Sequence, residues 1–258
     1  MKRKVKELKR IARGNLTGNY MILMRAYIWI NMLILLVEMP FSMMKNDIPF
    51  SMQNIIYIIA QALIGVLAIV LTCGQYRLHL SVARTGKADF KDFWEPIKNQ
   101  PDRYIITNAI LFGITIICLL PMFLGLWLYY QKPDLANILI GLALSVISLI
   151  LYMYVSLNFN LVFFLMADNH NLTAIGALKA TYQMVMNYKK RYLYLLLSFL
   201  GYLFLDVLTF GIGILWIEPY MTQTTTLFYL DIAGELDTIQ AERQKAETPE
   251  PTVINQYV

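Results

Sequence analysis

The sequence predicts an all-α integral membrane protein: a bundle of six transmembrane helices with amphipathic interfacial helices on its cytoplasmic side. Three observations predict it. Of 258 residues, 58% are hydrophobic and 15% charged, and mean hydropathy is +0.52, too apolar for an ordinary soluble domain. Six apolar stretches fall between Tyr20 and Tyr229, each long enough to cross a bilayer, which takes roughly 17–25 helical residues. The 22 lysines and arginines collect on alternate sides of them. Eight lie at or before Arg25, six between Arg77 and Arg103, and four between Lys179 and Arg191. The intervening connections hold only Lys45 and Lys132. That bias puts both termini in the cytoplasm.

The elements follow in order. Residues 1–19 form a basic amphipathic interfacial helix, with Val5, Leu8, Ile11 and Ala12 on one face. The six-span domain covers 20–230. Its first span runs from Tyr20 to Pro40 and its second from Gln53 to Gly74. The polar stretch 75–103 contains a turn at Thr85–Asp89, with Asp89 placed to cap a helix bearing Phe90, Phe93 and Trp94 on one face. Span three runs from Tyr104 to Tyr130, with Pro121 expected to kink it. Span four, Ala136–Met166, exceeds the bilayer requirement and must tilt, kink or protrude. Residues 168–190 carry an apolar face of Leu172, Ile175, Leu178, Tyr182, Val185 and Met186. Span five, Tyr192–Leu208, a short outer turn Thr209–Gly213 and span six, Ile214–Tyr229, complete the domain. Residues 231–258 form an acidic cytoplasmic tail, largely disordered from 241 onward.

Spans one, three and five each begin with tyrosine (Tyr20, Tyr104, Tyr192) after a cytoplasmic amphipathic segment. Two readings are open. The chain is three repeated units of interfacial helix plus hairpin, or the aromatic belt places tyrosine at each interface independently.

Several function classes find no footing. The net charge of +5 sits at membrane ends, where it is topogenic and attracts anionic lipid head groups; no basic–aromatic module for nucleic acid is present. Cys73 and Cys118 fall on opposite halves and read as buried hydrophobes. The first apolar run contains Arg25 and ends at Glu38-Met39-Pro40 without a cleavage site, so a retained span is expected. No HExxH, GxSxG, P-loop or GxGxxG occurs, and there are two histidines. The protein is read as not an enzyme, with no cofactor and no metal; Asp168-Asn169-His170-Asn171 supplies one Asp and one His, too few for a site.

The candidate residues are intramembrane polar groups, which are costly and therefore informative. Glu218, before Pro219, joins a carboxylate to a weakened helix, an arrangement suited to a substrate or ion site; the alternative is a structural hydrogen bond to a neighbouring helix. Counted from the outer turn, Glu218 and Asp206 fall in the outer half, as does Glu38. Tyr220 is expected beside Glu218 in the bundle interior, with Asn158 or Asn160 as amide neighbour. Lys6, Lys9, Arg10 and Arg13 are expected on lipid head groups.

The second half resembles a known family. Phe163-Phe164-Leu165-Met166-Ala167-Asp168-Asn169, Met184-Val185-Met186, Leu197-Ser198-Phe199-Leu200-Gly201-Tyr202, Leu208-Thr209-Phe210-Gly211-Ile212-Gly213, Trp216 and Pro219-Tyr220 are similar to DUF975, a family of polytopic bacterial membrane proteins of unknown function. Arg84-Thr85-Gly86 with Phe90 and Phe93 also fits. Asn187-Tyr188 stands where the family usually has Gly, and Tyr202 where it tends to have Trp. A more distant likeness is to the membrane domain of some glycerophosphodiester phosphodiesterases. The resemblance implies six spans in a Gram-positive plasma membrane and transfers no activity.

Two functions compete on the sequence. One is transport or lipid handling through a cavity in the outer half. The other is a non-catalytic membrane partner: an accessory, immunity or assembly factor of another membrane complex.

Overall fold

The computed structural model describes residues 2–43 and 52–247. Among them all regular structure is helical. α1 (Val5–Leu16) precedes a long hairpin, α2 (Tyr20–Ser42) and α3 (Met52–Thr85). α4 (Phe90–Lys98) precedes a second, α5 (Pro101–Gln131) and α6 (Leu135–Phe159), the latter continued by α7 (Val162–Asp168). α8 (Ala174–Val185) precedes a third, α9 (Lys189–Leu197), α10 (Leu200–Leu208) and α11 (Ile214–Ala233). α12 (Leu236–Glu247) ends the described chain. Five segments are long and apolar enough to cross a membrane: Tyr20–Ser42, Met52–Thr85, Pro101–Gln131, Leu135–Asp168 and Lys189–Leu208. The chain is a membrane protein. α11 is helical where the sixth span was expected, but it is not among the five.

Local chemistry explains the boundaries. α1 turns into α2 through Gly18, whose φ of +83° suits glycine. Asp89 caps α4, its side chain accepting from the Lys91 amide at 2.9 Å. Asp134 caps α6 by accepting from the Asn137 amide at 2.9 Å, which with Lys132 holds its carboxyl below the usual range. Thr173 caps α8 through Gly176. α5 and α6 approach closely where Gly125 meets Gly141; a Cβ on Gly125 would stand 2.8 Å from the Gly141 Cα. The long fourth apolar stretch breaks at Asn160–Leu161, and the fifth at Ser198–Phe199.

The core gathers at one end, which also carries the basic connections and is called the basic end below. The second half of α3, from Leu71 to Ala83, and the second half of α11, from Leu227 to Ile232, are buried there together with α1, Phe93 of α4 and Phe164 of α7. The α5–α6 hairpin, by contrast, exposes most of its apolar side chains.

Four expectations are corrected. First, the apolar face of α1 (Val5, Leu8, Ala12, Leu16) is buried in protein against α11 and its neighbours, and is not laid on lipid. Second, the six residues read as one face of 168–190 are divided: Val185 is buried and Leu172 and Leu178 pack on the core, while Ile175, Tyr182 and Met186 are exposed, and the inward side of α8 is made by Ala174, Ala177, Thr181 and Val185. Small residues permit close helix approach. Third, the tail is not disordered from 241: residues up to Glu247 belong to α12, held by buried Leu236 and Ile239 and by Arg243, which donates to Asn15 Oδ1 and the Val82 carbonyl, each at 2.6 Å. Residues 248–258 lie outside the described residues, as does Lys45 in the first connection.

The fourth concerns depth. Gln75 of α3 meets Glu218, and His79 meets Gln223, so α3 and α11 run parallel. From Gln75 back to Met52 is 23 residues, about 34 Å of helix. From Glu218 back to Ile214 is four, about 6 Å. The Tyr20 hydroxyl, at the start of α2, donates to the Trp216 carbonyl at the start of α11. The Thr209–Gly213 turn therefore ends well short of the far end. Glu218 and Asp206 belong with the basic end, and only Glu38, which accepts from Gln61 at 3.2 Å, lies near the far one.

Candidate functional site

A polar seam joins α3 to α11. Glu218, Thr222 and Gln223 lie one turn apart on α11, as Gln75 and His79 do on α3. Glu218 Oε1 accepts from Gln75 Nε2 at 2.9 Å and from Thr222 Oγ1 at 2.8 Å. His79 Nδ1 lies 2.7 Å from Gln223 Oε1, a hydrogen bond in which Nδ1 donates when the amide oxygen faces it. Glu218 Oε2, His79 Nε2 and Gln223 Nε2 are buried with no hydrogen-bond partner among the described residues. Pro219, next to Glu218, removes the amide that the Leu215 carbonyl would otherwise accept.

Apart from the seam, a recess of about 500 Å³ opens between the α1–α2 turn and the third hairpin. Arg13, Leu16, Thr17, Gly18, Tyr20, Tyr202 and Tyr220 line it. Arg13 is exposed; its Nε donates to the Tyr220 hydroxyl at 3.3 Å, and the guanidinium lies 5.7 Å from that ring. Tyr220 packs edge-on to Phe199 and Tyr202, with centroids 5.5 and 5.6 Å away. One turn earlier, Lys9 Nζ donates to the Ser198 carbonyl at 2.8 Å and sits 3.8 Å from the Phe199 ring centroid. The α9–α10 break is thus capped by a cation from α1. Partial burial, then Arg13 nearby, draw the Lys9 ammonium below its ordinary value.

A model of the family described as protein of unknown function (DUF975) matches residues 1–235. The chain belongs to the DUF975 family. No curated protein and no solved structure matches it. The likeness to the phosphodiesterase membrane domain is therefore an expectation of the sequence alone.

The sequence-selected residues of this DUF975 protein do not converge. Glu218 and Tyr220 are neighbours on α11, but the amide beside Glu218 is Gln75. Asn158 is buried and donates to its own helix at Tyr154 O, and Asn160 donates to the Tyr192 hydroxyl, both at 2.6 Å. Asn158 thus turns back on its own helix and Asn160 reaches α9, and neither meets Glu218. Asp206 lies at the tip of the third hairpin beside Gly213, its Oδ1 unpartnered. Of the four cations expected on head groups, Lys6, Arg10 and Arg13 are exposed and Lys9 is turned against Phe199. At the far end, a recess of about 340 Å³ between α5 and α6 is lined by Tyr129, Asn137 and Ser145 but by no acidic or basic side chain among the described residues.

The DUF975 chain also builds a charged cluster at the basic end. Arg77 pairs with Glu95 at 2.5 Å; Glu95 meets His170 at 2.9 Å. Arg84 pairs with Asp168 and, at 2.7 Å, with Glu235; Tyr229 donates to Asp168 at 2.9 Å. Buried Arg103 holds the Met166 and Asn169 carbonyls at 2.8 Å and contacts His170 at 3.1 Å. Among the described residues no group of three metal-ligating side chains forms. The Asp168–Asn171 loop is tied down by arginines.

Sequence reasoning missed Gln75, His79, Gln223, Tyr20 and Tyr202. A signal existed for the seam. Gln75 and His79 repeat at i, i+4, and Thr222-Gln223-Thr224-Thr225-Thr226 is a polar run inside the supposed sixth span.

Proposed function

We propose that the protein handles lipid, and that the recess lined by Arg13, Tyr20, Tyr202 and Tyr220 holds an acidic lipid head group. In this reading the basic end faces the cytoplasm of a bacterial cell. The long α2, α3, α5 and α6–α7 helices cross the plasma membrane, and the third hairpin enters the inner leaflet only. One observation carries it: Arg13 offers an exposed guanidinium, whose side-chain partner among the described residues is a tyrosine hydroxyl and not a carboxylate, into a recess walled by aromatic rings. Guanidinium forks suit phosphate, and tyrosines suit the interface between head groups and chains. The expected outer-half site is given up, because Glu218 and Asp206 sit near the basic end and the far-end recess is lined by no acidic or basic side chain among the described residues.

The test uses the full chain in vesicles with a phosphatidylglycerol analogue bearing a photoreactive group near its head. Cross-links are expected on the peptides containing Tyr202 and Tyr220. Arg13→Ala removes most of that labelling, and Lys132→Ala does not. Undiminished labelling in Arg13→Ala, or equal labelling by a phosphatidylcholine analogue, overturns the reading.

The second reading, a membrane partner for another complex, is favoured by one observation. The α5–α6 hairpin exposes Phe112, Ile117, Leu120, Leu139, Val146 and Ile150 and packs chiefly on itself, which leaves a long apolar face that a partner helix can take in place of acyl chains. Site-specific photo-cross-linkers at Ile117 and Ile150 would then capture one defined protein; capture of lipid alone counts against it.

A further inference from the structure

α2 carries one cation inside its apolar stretch. Arg25 lies five residues, about 7 Å of helix, beyond Tyr20. It is exposed, and no carboxylate, carbonyl or ring among the described residues partners it. Arg77, Arg84, Arg103 and Arg191 all have carboxylate or carbonyl partners. A charge at this depth is costly unless it is paired or reaches water.

The surroundings of Arg25 are built. Ile22, Arg25, Trp29 and Met32 recur at helical spacing and, with Ile28, line one wall of a groove of about 740 Å³. Phe90 and Trp94 of α4 form the other wall. Trp29 meets Trp94 edge-on at 5.8 Å and Phe93 at 6.1 Å, which fixes α4 against α2. Buried Leu23, Ala26 and Ile30 back α2 on its other side. Trp29 and Met32 remain 41% and 60% exposed, so the groove opens outward from the bundle. It has a cation at the end nearer the basic connections and apolar side chains running away from it.

We propose that this groove binds a phospholipid with a net negative head group, its phosphate on Arg25 and an acyl chain along Trp29 and Met32. The site shares no residue with the Arg13 recess and stands without it. Charge complementarity selects the occupant. A protein partner would have to carry a carboxylate to interfacial depth, whereas a lipid of that leaflet already presents its phosphate there beside an acyl chain. Trp29 and Trp94 are the residue type that membrane interfaces favour.

The experiment is tryptophan quenching on the full chain in vesicles. Trp127→Phe and Trp216→Phe leave Trp29 and Trp94 as reporters. At equal mole fraction, acyl-brominated phosphatidylglycerol should associate about fivefold more strongly than acyl-brominated phosphatidylcholine, as expected for one well-placed cation. Arg25→Gln should bring that ratio to about one, with helicity unchanged, whereas Arg13→Gln should leave it intact. Equal quenching by the two lipids with Arg25 present overturns the proposal, and so does a preference that survives Arg25→Gln. Should Arg25→Gln not fold, the comparison of the two brominated lipids with Arg25 present decides alone.

Discussion

The depth of the third hairpin is open to a direct measurement. Tyr20 and Trp216 are in contact, so their levels differ by no more than a tyrosine side chain. Gly211, at the tip, lies beyond Trp216 by two residues of helix, about 3 Å, and by a tight turn that the Gly211 amide closes onto the Asp206 carbonyl. Ser42, at the other end of α2, lies 22 residues beyond Tyr20, about 33 Å, enough for the ~30 Å hydrocarbon core. The tip thus stops well short of the far side. The perturbation is a single cysteine at Ile212, exposed at the tip, in a chain whose buried Cys73 and Cys118 are replaced by serine or alanine. The assay is labelling by a membrane-impermeant maleimide applied to either face. A cysteine at Lys132, in the far-end turn between α5 and α6, should react from the far face; cysteines at Lys87 and Lys189 should react only from the basic face. A cysteine at Ile212 should react from neither face, and a lipid-soluble maleimide should reach it. Labelling of Ile212→Cys from the far face at the Lys132 rate would refute the geometry and restore a sixth full crossing.

Three substitutions test the packing, each read by thermal unfolding in detergent or lipid. Glu218→Gln should be mild because the amide oxygen still accepts from Gln75 and Thr222, whereas Glu218→Leu strands both donors and should cost about 1–3 kcal/mol; equal losses would show that the bonds are not what Glu218 contributes. Gly125→Ala should cost about 1–3 kcal/mol by driving α5 from α6, while Gly113→Ala, with open space around it, should stabilise by about 0.5–1 kcal/mol. Arg84→Ala should cost about 2 kcal/mol, below the ~3–5 of a fully buried pair because Arg84 and Glu235 keep some contact with water; a loss under about 0.5 kcal/mol would reduce the pair to an ordinary surface contact.

What the sequence made legible was local. Spacing gives α1 its buried face, Asp89 announces α4, and long apolar runs mark α2, α3, α5 and α6. These features depend on neighbours within a few residues. The face of α8 was drawn from its large apolar side chains, so the small residues on which the helix packs inward were left out of it. At a membrane surface Ile175 and Met186 lose nothing by facing outward, and Ala174 and Ala177 allow closer packing. The depth of Glu218 was misread because it was counted from a turn assumed to lie outside. Apolar content shows that a segment avoids water and does not say how far it travels. The five polar residues Thr222–Thr226 were the corrective, since no bilayer-crossing helix carries that run without a polar partner, and the partner, Gln75 with His79, sits on α3.

The distribution of burial bears on the site itself. At the basic end, α1, α4, α7, α8 and α12 clamp the ends of the hairpins with ion pairs and a continuous apolar core. Away from it, α5 and α6 touch chiefly each other, and α10 has no buried residue. A molecule that must change shape to work would move where contacts are few, which is out in the hairpins. A site that must hold a charged group in fixed geometry is better placed where the frame is stiff. Arg13 meets that condition: α1 is anchored by Leu8, Ala12 and Leu16 beneath it, and the Tyr220 that orients the guanidinium is braced by Phe199 and Tyr202. Lys9 ties the same helix to the break between α9 and α10. Any displacement of α10 therefore acts on the wall of the recess through Phe199 and Tyr202, so the proposed site and the third hairpin cannot move independently.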